Sequence, residues 1–175
     1  ARREAMAVAG PALGRWLDAR LLGAGGACPF DRLCAPRVEV GLAFVLARPL
    51  RGPRVTLADV LAATDHVTPA VEIIDARIEQ FDRDTKAPRK VFDTIADFAA
   101  NAGIVTDGRP VRPHDVDLPW AGAMLSKNGV IAETGLVVAV LHHPGHGIAW
   151  LAHKLAPHDQ PPNPAPVRRG GPVPR

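Results

Sequence analysis

The chain has 175 residues, a net charge of +3 and an isoelectric point near 9.3; that is about one domain's worth of sequence, able to bury roughly 70% of the surface its unfolded form exposes. Arginine outnumbers lysine 17 to 4, yet the positive residues are scattered apart from pairs such as Arg2-Arg3 and Arg168-Arg169, and a nucleic-acid footprint needs them clustered. No apolar run reaches the roughly 18 residues of a membrane span, no signal-peptide pattern opens the chain, and Cys28 and Cys34 lack the spacing of a disulfide framework or a zinc site, so two reduced thiols and a cytoplasmic setting are expected.

Residues 1–30 read as a weakly ordered segment. Trp16, Leu17, Leu21 and Leu22 recur at helical spacing, but Gly23, Gly25 and Gly26 break the pattern. From Arg37 the period changes to two: Val38, Val40, Leu42, Phe44 and Leu46 alternate as a strand does. A turn follows at 49–53. Thr56-Leu57-Ala58-Asp59 carries a capping-box signature and predicts a short helix over 57–64. Pro69 then opens a second predicted strand at 70–78, with Glu72 inside an aliphatic stretch. Residues 79–90 are polar and read as an exposed loop.

A helix is predicted at 93–101, closed by Gly103 as its left-handed cap. Asn128-Gly129 between apolar runs at 121–126 and 130–134 predicts a tight hairpin. A further strand is expected at 136–141. A helix follows at 147–155, with Ile148, Leu151 and Leu155 on one face. Seven prolines in residues 157–175 predict a disordered tail, taken as 160–175. The order of elements implies an α+β fold, mainly β, with a few helices.

No phosphate-binding loop, dinucleotide fingerprint or nucleophile elbow occurs. What remains is acid inside apolar strands. A carboxylate in such a place costs several kcal/mol unless it is paired or bound to a metal, and both Glu39 and Glu72 fit that description. Hard cations such as Mg²⁺ take carboxylate oxygens and keep several waters. The alternative for each is an ion pair with an arginine such as Arg37 or Arg77.

Several stretches carry a longer likeness: Pro36-Arg37-Val38-Glu39, Leu42-Ala43-Phe44-Val45-Leu46, Ala62-Ala63-Thr64-Asp65, Glu72-Ile73-Ile74-Asp75-Ala76-Arg77, Pro88-Arg89-Lys90-Val91-Phe92-Asp93-Thr94-Ile95, Ala99-Ala100-Asn101-Ala102-Gly103, Lys127-Asn128-Gly129 and Ala149-Trp150-Leu151-Ala152. On these residues the segment 31–159 resembles the 2-oxo-acid hydratase and decarboxylase branch of the fumarylacetoacetate hydrolase superfamily. The resemblance implies a mixed β-roll or sandwich, catalytic-domain core at 31–159, and oligomeric assembly. It implies a hydro-lyase adding water to a 2-hydroxy-dienoate of the 2-oxo-hept-4-ene-1,7-dioate type in aromatic catabolism, with 4-oxalocrotonate decarboxylation as an alternative.

In this family three glutamates hold Mg²⁺ or Mn²⁺. Two lie two positions apart on one strand, so both face the same side; the third comes from the next strand. Glu39 matches the first and Glu72 the third. The second falls on Gly41, which supplies no ligand, so the resemblance implies weakened or absent metal binding. Lys90, Asp93 and Thr94 resemble the segment that approaches metal and substrate, with Lys90 the catalytic candidate. Asp75 and Arg77 would support the ligands from behind, or form a surface salt bridge. Phe98, His146 and His153 stand where relatives have asparagine. The family pattern extends further in both directions. Its upstream part carries a lysine and an acid for proton transfer, without counterpart in residues 1–30. Its downstream part adds β-strands where this chain has the proline-rich tail. These departures leave a second expectation: a catalytically silent relative or assembly partner that keeps the fold.

Overall fold

A computed structural model of the protein describes residues 20–23, 25, 27–139 and 141–162. They form a mixed α/β structure with two sheets and a few short helices. The chain divides into two units, Ala1–Gly41 with Pro69–Gly108, and Leu42–Thr68 with Arg109–Arg175. The boundaries fall inside two long strands, β2 (Pro36–Leu46) and β3 (Thr64–Asp75).

The first unit is built on a sheet. Its strand order is β1-β4-β3-β2, where β1 is Leu21–Leu22 and β4 is Asn101–Thr106. Strand β1 runs parallel to β4, pairing Leu21 with Ile104 and Leu22 with Val105. The helical reading of Leu21 and Leu22 is therefore corrected: followed by Gly23 and Gly25, they gain more from the edge of β4 than from a helix that cannot continue. Trp16 and Leu17 lie outside the described residues. Strand β3 runs antiparallel to β4 from Ala70 opposite Thr106 to Ile74 opposite Asn101, with a bulge between Ile73 and Ile74.

Strand β3 starts six residues before the predicted 70, directly after a helix, so Pro69 lies within it. Proline has no N–H to give a ladder, but its carbonyl accepts from Asp107 N at 3.3 Å. The strand also ends at Asp75 rather than 78. There the donors are diverted: Arg77 N–H goes to the Asp97 carboxylate at 3.0 Å.

The helix predicted at 93–101 is shorter and earlier. It is α2 (Val91–Ala96), followed by a 3-10 turn at Phe98–Ala100. The Arg77 guanidinium takes the Asp97 carbonyl at 2.6 Å, occupying an acceptor that another helical turn would need. Phe98, Ala99 and Ala100 then take φ of 55°, 53° and 64°, a left-handed run that turns the chain into β4. Gly103 is thus a strand residue and not a helix cap. A Cβ there would sit 2.8 Å from Leu22 Cδ1, so glycine admits β1. The loop 79–90 is largely exposed, as predicted. Asp82 organises it by accepting from the backbone N–H groups of Asp84 and Thr85.

The second unit is built on aliphatic packing. Helix α1 (Leu57–Ala63) opens with the predicted capping box: Thr56 Oγ1 accepts from Asp59 N, and the Asp59 carboxylate accepts from Thr56 N at 2.8 Å. Its core gathers Leu46, Leu50, Val55, Val60, Ala63, Ala149 and Ala152. Helix α3 (Gly145–Leu155) buries Gly145, Ala149 and Ala152. The expected stripe of Ile148, Leu151 and Leu155 is only half-buried. The small residues face inward because α1 comes close: a Cβ at 145 would lie 2.6 Å from Leu57 Cδ1.

The predicted hairpin is present as β5 (Gly122–Lys127) and β6 (Val130–Leu136). Asn128 and Gly129 carry the positive φ values, 53° and 81°, that a tight turn of this type requires. The strand expected at 136–141 does not form. Gly122 opposite Leu136 is the last pair of the ladder, so Val137 bonds the Ala121 carbonyl instead and enters a 3-10 turn at Val137–Ala139. Of the expected tail, Pro162 is tied to the fold by accepting from Leu50 N at 3.0 Å; residues 163–175 lie outside the described part. Among the described residues no helix is long and apolar enough to cross a membrane.

Candidate functional site

All the sequence-predicted site residues fall in the first unit. Glu39 stands exposed on β2, and Glu72 half-buried on the neighbouring β3. Glu72 makes no ion pair with Arg77. Its Oε1 instead accepts from Asn101 Nδ2 at 2.8 Å. Asn101 is 3% exposed, and its Oδ1 has no hydrogen-bond partner among the described residues.

Arg77 is committed elsewhere. Its Nε donates to Asp97 Oδ1 at 2.7 Å and its other nitrogens donate to the carbonyls of Asp97 and Asn101. Asp97 is buried, and Arg89 approaches its other oxygen at 3.9 Å. Asp75, 2% exposed, accepts from the backbone N–H groups of Cys34 and Ala35 at 2.9 and 2.7 Å. Asp75 and Arg77 therefore form no surface salt bridge, and they are not partners of one another. Asp75 anchors the entry to β2, and Arg77 anchors the end of α2 and the start of β4.

Lys90, Asp93 and Thr94 meet at the first turn of α2. Asp93 accepts from Lys90 N at 2.7 Å, which caps the helix. Its carboxylate also suits the positive N-terminal end of the helix dipole. Thr94 N donates to the Lys90 carbonyl at 3.3 Å. Lys90 is exposed. In the second unit His146 Nδ1 and His153 Nε2 contact the carbonyls of Leu141 and Val55. A cavity of about 440 Å³ in that unit, edged by Arg48, Arg51, Arg54 and Asp59, contains none of the predicted site residues.

Glu39 and Glu72 are of the right chemical kind for a hard divalent cation, which prefers oxygen and retains waters. In number they fall short. Among the described residues no group of three or more His, Cys, Asp or Glu side chains could hold a metal ion. At Gly41, two positions from Glu39, nothing lies within 4 Å of where a Cβ would stand. Space for a third carboxylate exists there and the ligand does not.

Asp97 and Asn101 escaped the sequence reading. The signal for both was present: each is a polar residue inside an alanine-rich apolar run, where burial demands a partner.

No family model matches the chain. It is similar to 2-oxo-hept-4-ene-1,7-dioate hydratase of Escherichia coli, 56% identical over 149 residues, which are 85% of this chain and 56% of that protein. It is 40% identical over 146 residues to 2-hydroxypent-2,4-dienoate hydratase of Pseudomonas putida, covering 83% of this chain and 63% of the relative. Among solved structures it resembles 4-oxalocrotonate decarboxylase from Pseudomonas putida G7, complexed with magnesium and adipate. The TM-score is 0.81 at 34% identity, over 94% of this chain and 60% of that one. The chain thus spans a little over half the length of the curated relatives it matches.

Proposed function

This chain belongs to the 2-oxo-acid hydratase and decarboxylase branch of the fumarylacetoacetate hydrolase superfamily, and from that premise we infer that residues 31–159 are the catalytic-domain core of a cytoplasmic hydro-lyase of the β-roll or sandwich type. It would add water to a 2-hydroxy-dienoate related to 2-oxo-hept-4-ene-1,7-dioate, in the breakdown of aromatic compounds. The observation that carries this reading is the 56% identity to a hydratase. The 34% identity to the decarboxylase structure makes decarboxylation the weaker choice.

Glu39 and Glu72 would hold Mg²⁺ or Mn²⁺, with water filling the remaining positions. When bound, the ion supplies Lewis-acid polarisation of a 2-oxo acid. The chain's own residues do the rest. Lys90, exposed at the start of α2, would carry a proton or meet a substrate carboxylate. Asp93 and Thr94 fix the turn that presents it. Asp75 and Arg77 hold the ends of the strands and helix from which these groups project.

Gly41 favours a second reading, a catalytically silent relative that keeps the fold as an assembly partner. Further copies of this chain are the natural partners in either case. Large apolar side chains left exposed on the second unit, Trp120, Met124, Val130 and Ile131, are consistent with that.

Titration of the full chain with Mg²⁺ and Mn²⁺, alongside a spectrophotometric dienoate hydration assay, separates the readings. Weak binding, around millimolar, is expected for two carboxylates and water. Gly41→Glu should tighten it by about tenfold or more and raise turnover. If neither chain binds metal and neither hydrates a dienoate, the hydratase reading fails and the silent one stands.

A further inference from the structure

We propose that Asn101 is a positioning residue for Glu72, an inference that rests on the reading of Glu72 as a metal ligand. Its amide N–H fixes one carboxylate oxygen of Glu72 and leaves the other for a divalent cation.

Three observations converge on this side chain. The first is the amide itself. Nδ2 donates to Glu72 Oε1 at 2.8 Å, while Oδ1, on a residue 3% exposed, has no partner among the described residues. Buried polar atoms almost always find a partner, so the orphan oxygen is the cost of turning the amide N–H toward Glu72.

The second is how firmly the backbone is held. Arg20 Nη1 and Arg77 Nη1 both donate to the Asn101 carbonyl, at 3.1 and 3.0 Å. Arg77 is itself locked by the buried Asp97. Opposite Asn101 lies Ile74, at the bulge in β3. Bulges re-aim side chains and recur beside functional sites.

The third is the approach to it. Three consecutive non-glycine residues, Phe98 to Ala100, are left-handed. Such conformations persist only where the surroundings impose them, and they gather at functional sites. Here they deliver the chain into β4 with Asn101 as its first residue. A role in packing alone would need neither the unpartnered oxygen nor the double arginine clamp on the carbonyl.

Asn101→Ala is the direct test, made in the full chain and again in the Gly41→Glu chain. Mn²⁺ affinity should weaken by about 10- to 100-fold, the usual effect of removing a group that orients a ligand, while circular dichroism shows the fold retained. A folded Asn101→Ala chain that binds Mn²⁺ as the parent does would overturn the proposal.

A second measurement needs no substitution at 101. The Asn101 side-chain amide resonance should shift in Glu72→Gln and should broaden on addition of Mn²⁺ to the unsubstituted chain. An Asn101 amide indifferent to both defeats the proposal even if Asn101→Ala does not fold. If neither the parent nor Gly41→Glu binds Mn²⁺, the metal assignment of Glu72 is lost. The Glu72→Gln response then decides separately whether Asn101 holds that carboxylate.

Discussion

The two units solve the problem of burial in opposite ways. The second buries Leu46, Leu50, Val55, Val60, Ala63, Ala149 and Ala152, and among the described residues its buried polar side chains are only those of Thr64 and Thr68. The first buries Asp75, Asp97 and Asn101, each held by named donors or acceptors. Aliphatic packing tolerates small errors of position, because burial is non-directional. A buried carboxylate does not, because its hydrogen bonds are directional and their loss leaves a stranded charge. A site that must aim carboxylates therefore belongs in the first kind of unit, and that is where all its candidate residues lie.

The largest expected blow to this contrast is Asp97→Ala. It strands Arg77 and Arg89 and should cost about 3 kcal/mol, read by denaturant unfolding. Amide exchange should show the loss in residues of the first unit, with the α1 and α3 amides less affected. Equal loss in both units would mean they do not open separately, and the contrast would dissolve.

Val60→Ala is the matching change in the second unit. Val60 is fully buried, and removing two methyl groups should cost about 2 kcal/mol, with exchange rising first in α1 and α3. Thr56→Ala removes the capping box and should cost about 1 kcal/mol, again confined to that unit.

The smallest effect is a pH dependence. Burial first, and then neighbouring His146, hold the His143 pKa below its ordinary value, with Asp117 opposing. The folded state thus binds fewer protons there than the unfolded chain does. The stabilisation is complete above the ordinary histidine range and is lost as pH falls through about 6.5 towards the depressed folded value. Protonation would also remove the acceptor that His143 Nδ1 offers to Gly145 N at 3.0 Å. Thermal melting should decline modestly between about pH 7.5 and about pH 5.5, and His143→Gln should flatten that slope. A slope unchanged by His143→Gln would assign the dependence to another group.

Local signals were legible where one residue type has one physical use. The Thr56 cap, the Asn128-Gly129 turn and the alternation through Val38 to Leu46 all became the elements they predicted. Legibility failed where a distant side chain decided the outcome. Helical spacing around Ile95 and Ala99 could not reveal that Arg77 would claim the Asp97 carbonyl. Val137 and Val138 read as strand, yet the strand facing them had run out at Gly122. In the site, Glu39, Gly41 and Glu72 were visible as acids in, or missing from, apolar strands. Asn101 and Asp97 carried a signal of the same kind, but it named no role, because an amide or acid among alanines takes its meaning from the partner that burial brings to it.

Gly103 shows how much can hang on a missing methyl group. Leu22 lies where any side chain at 103 would begin, and β1 is only two residues long. Alanine at this position would have to turn the end of the Leu22 side chain aside, loosening the packing by which a two-residue strand keeps its place on the sheet's rim.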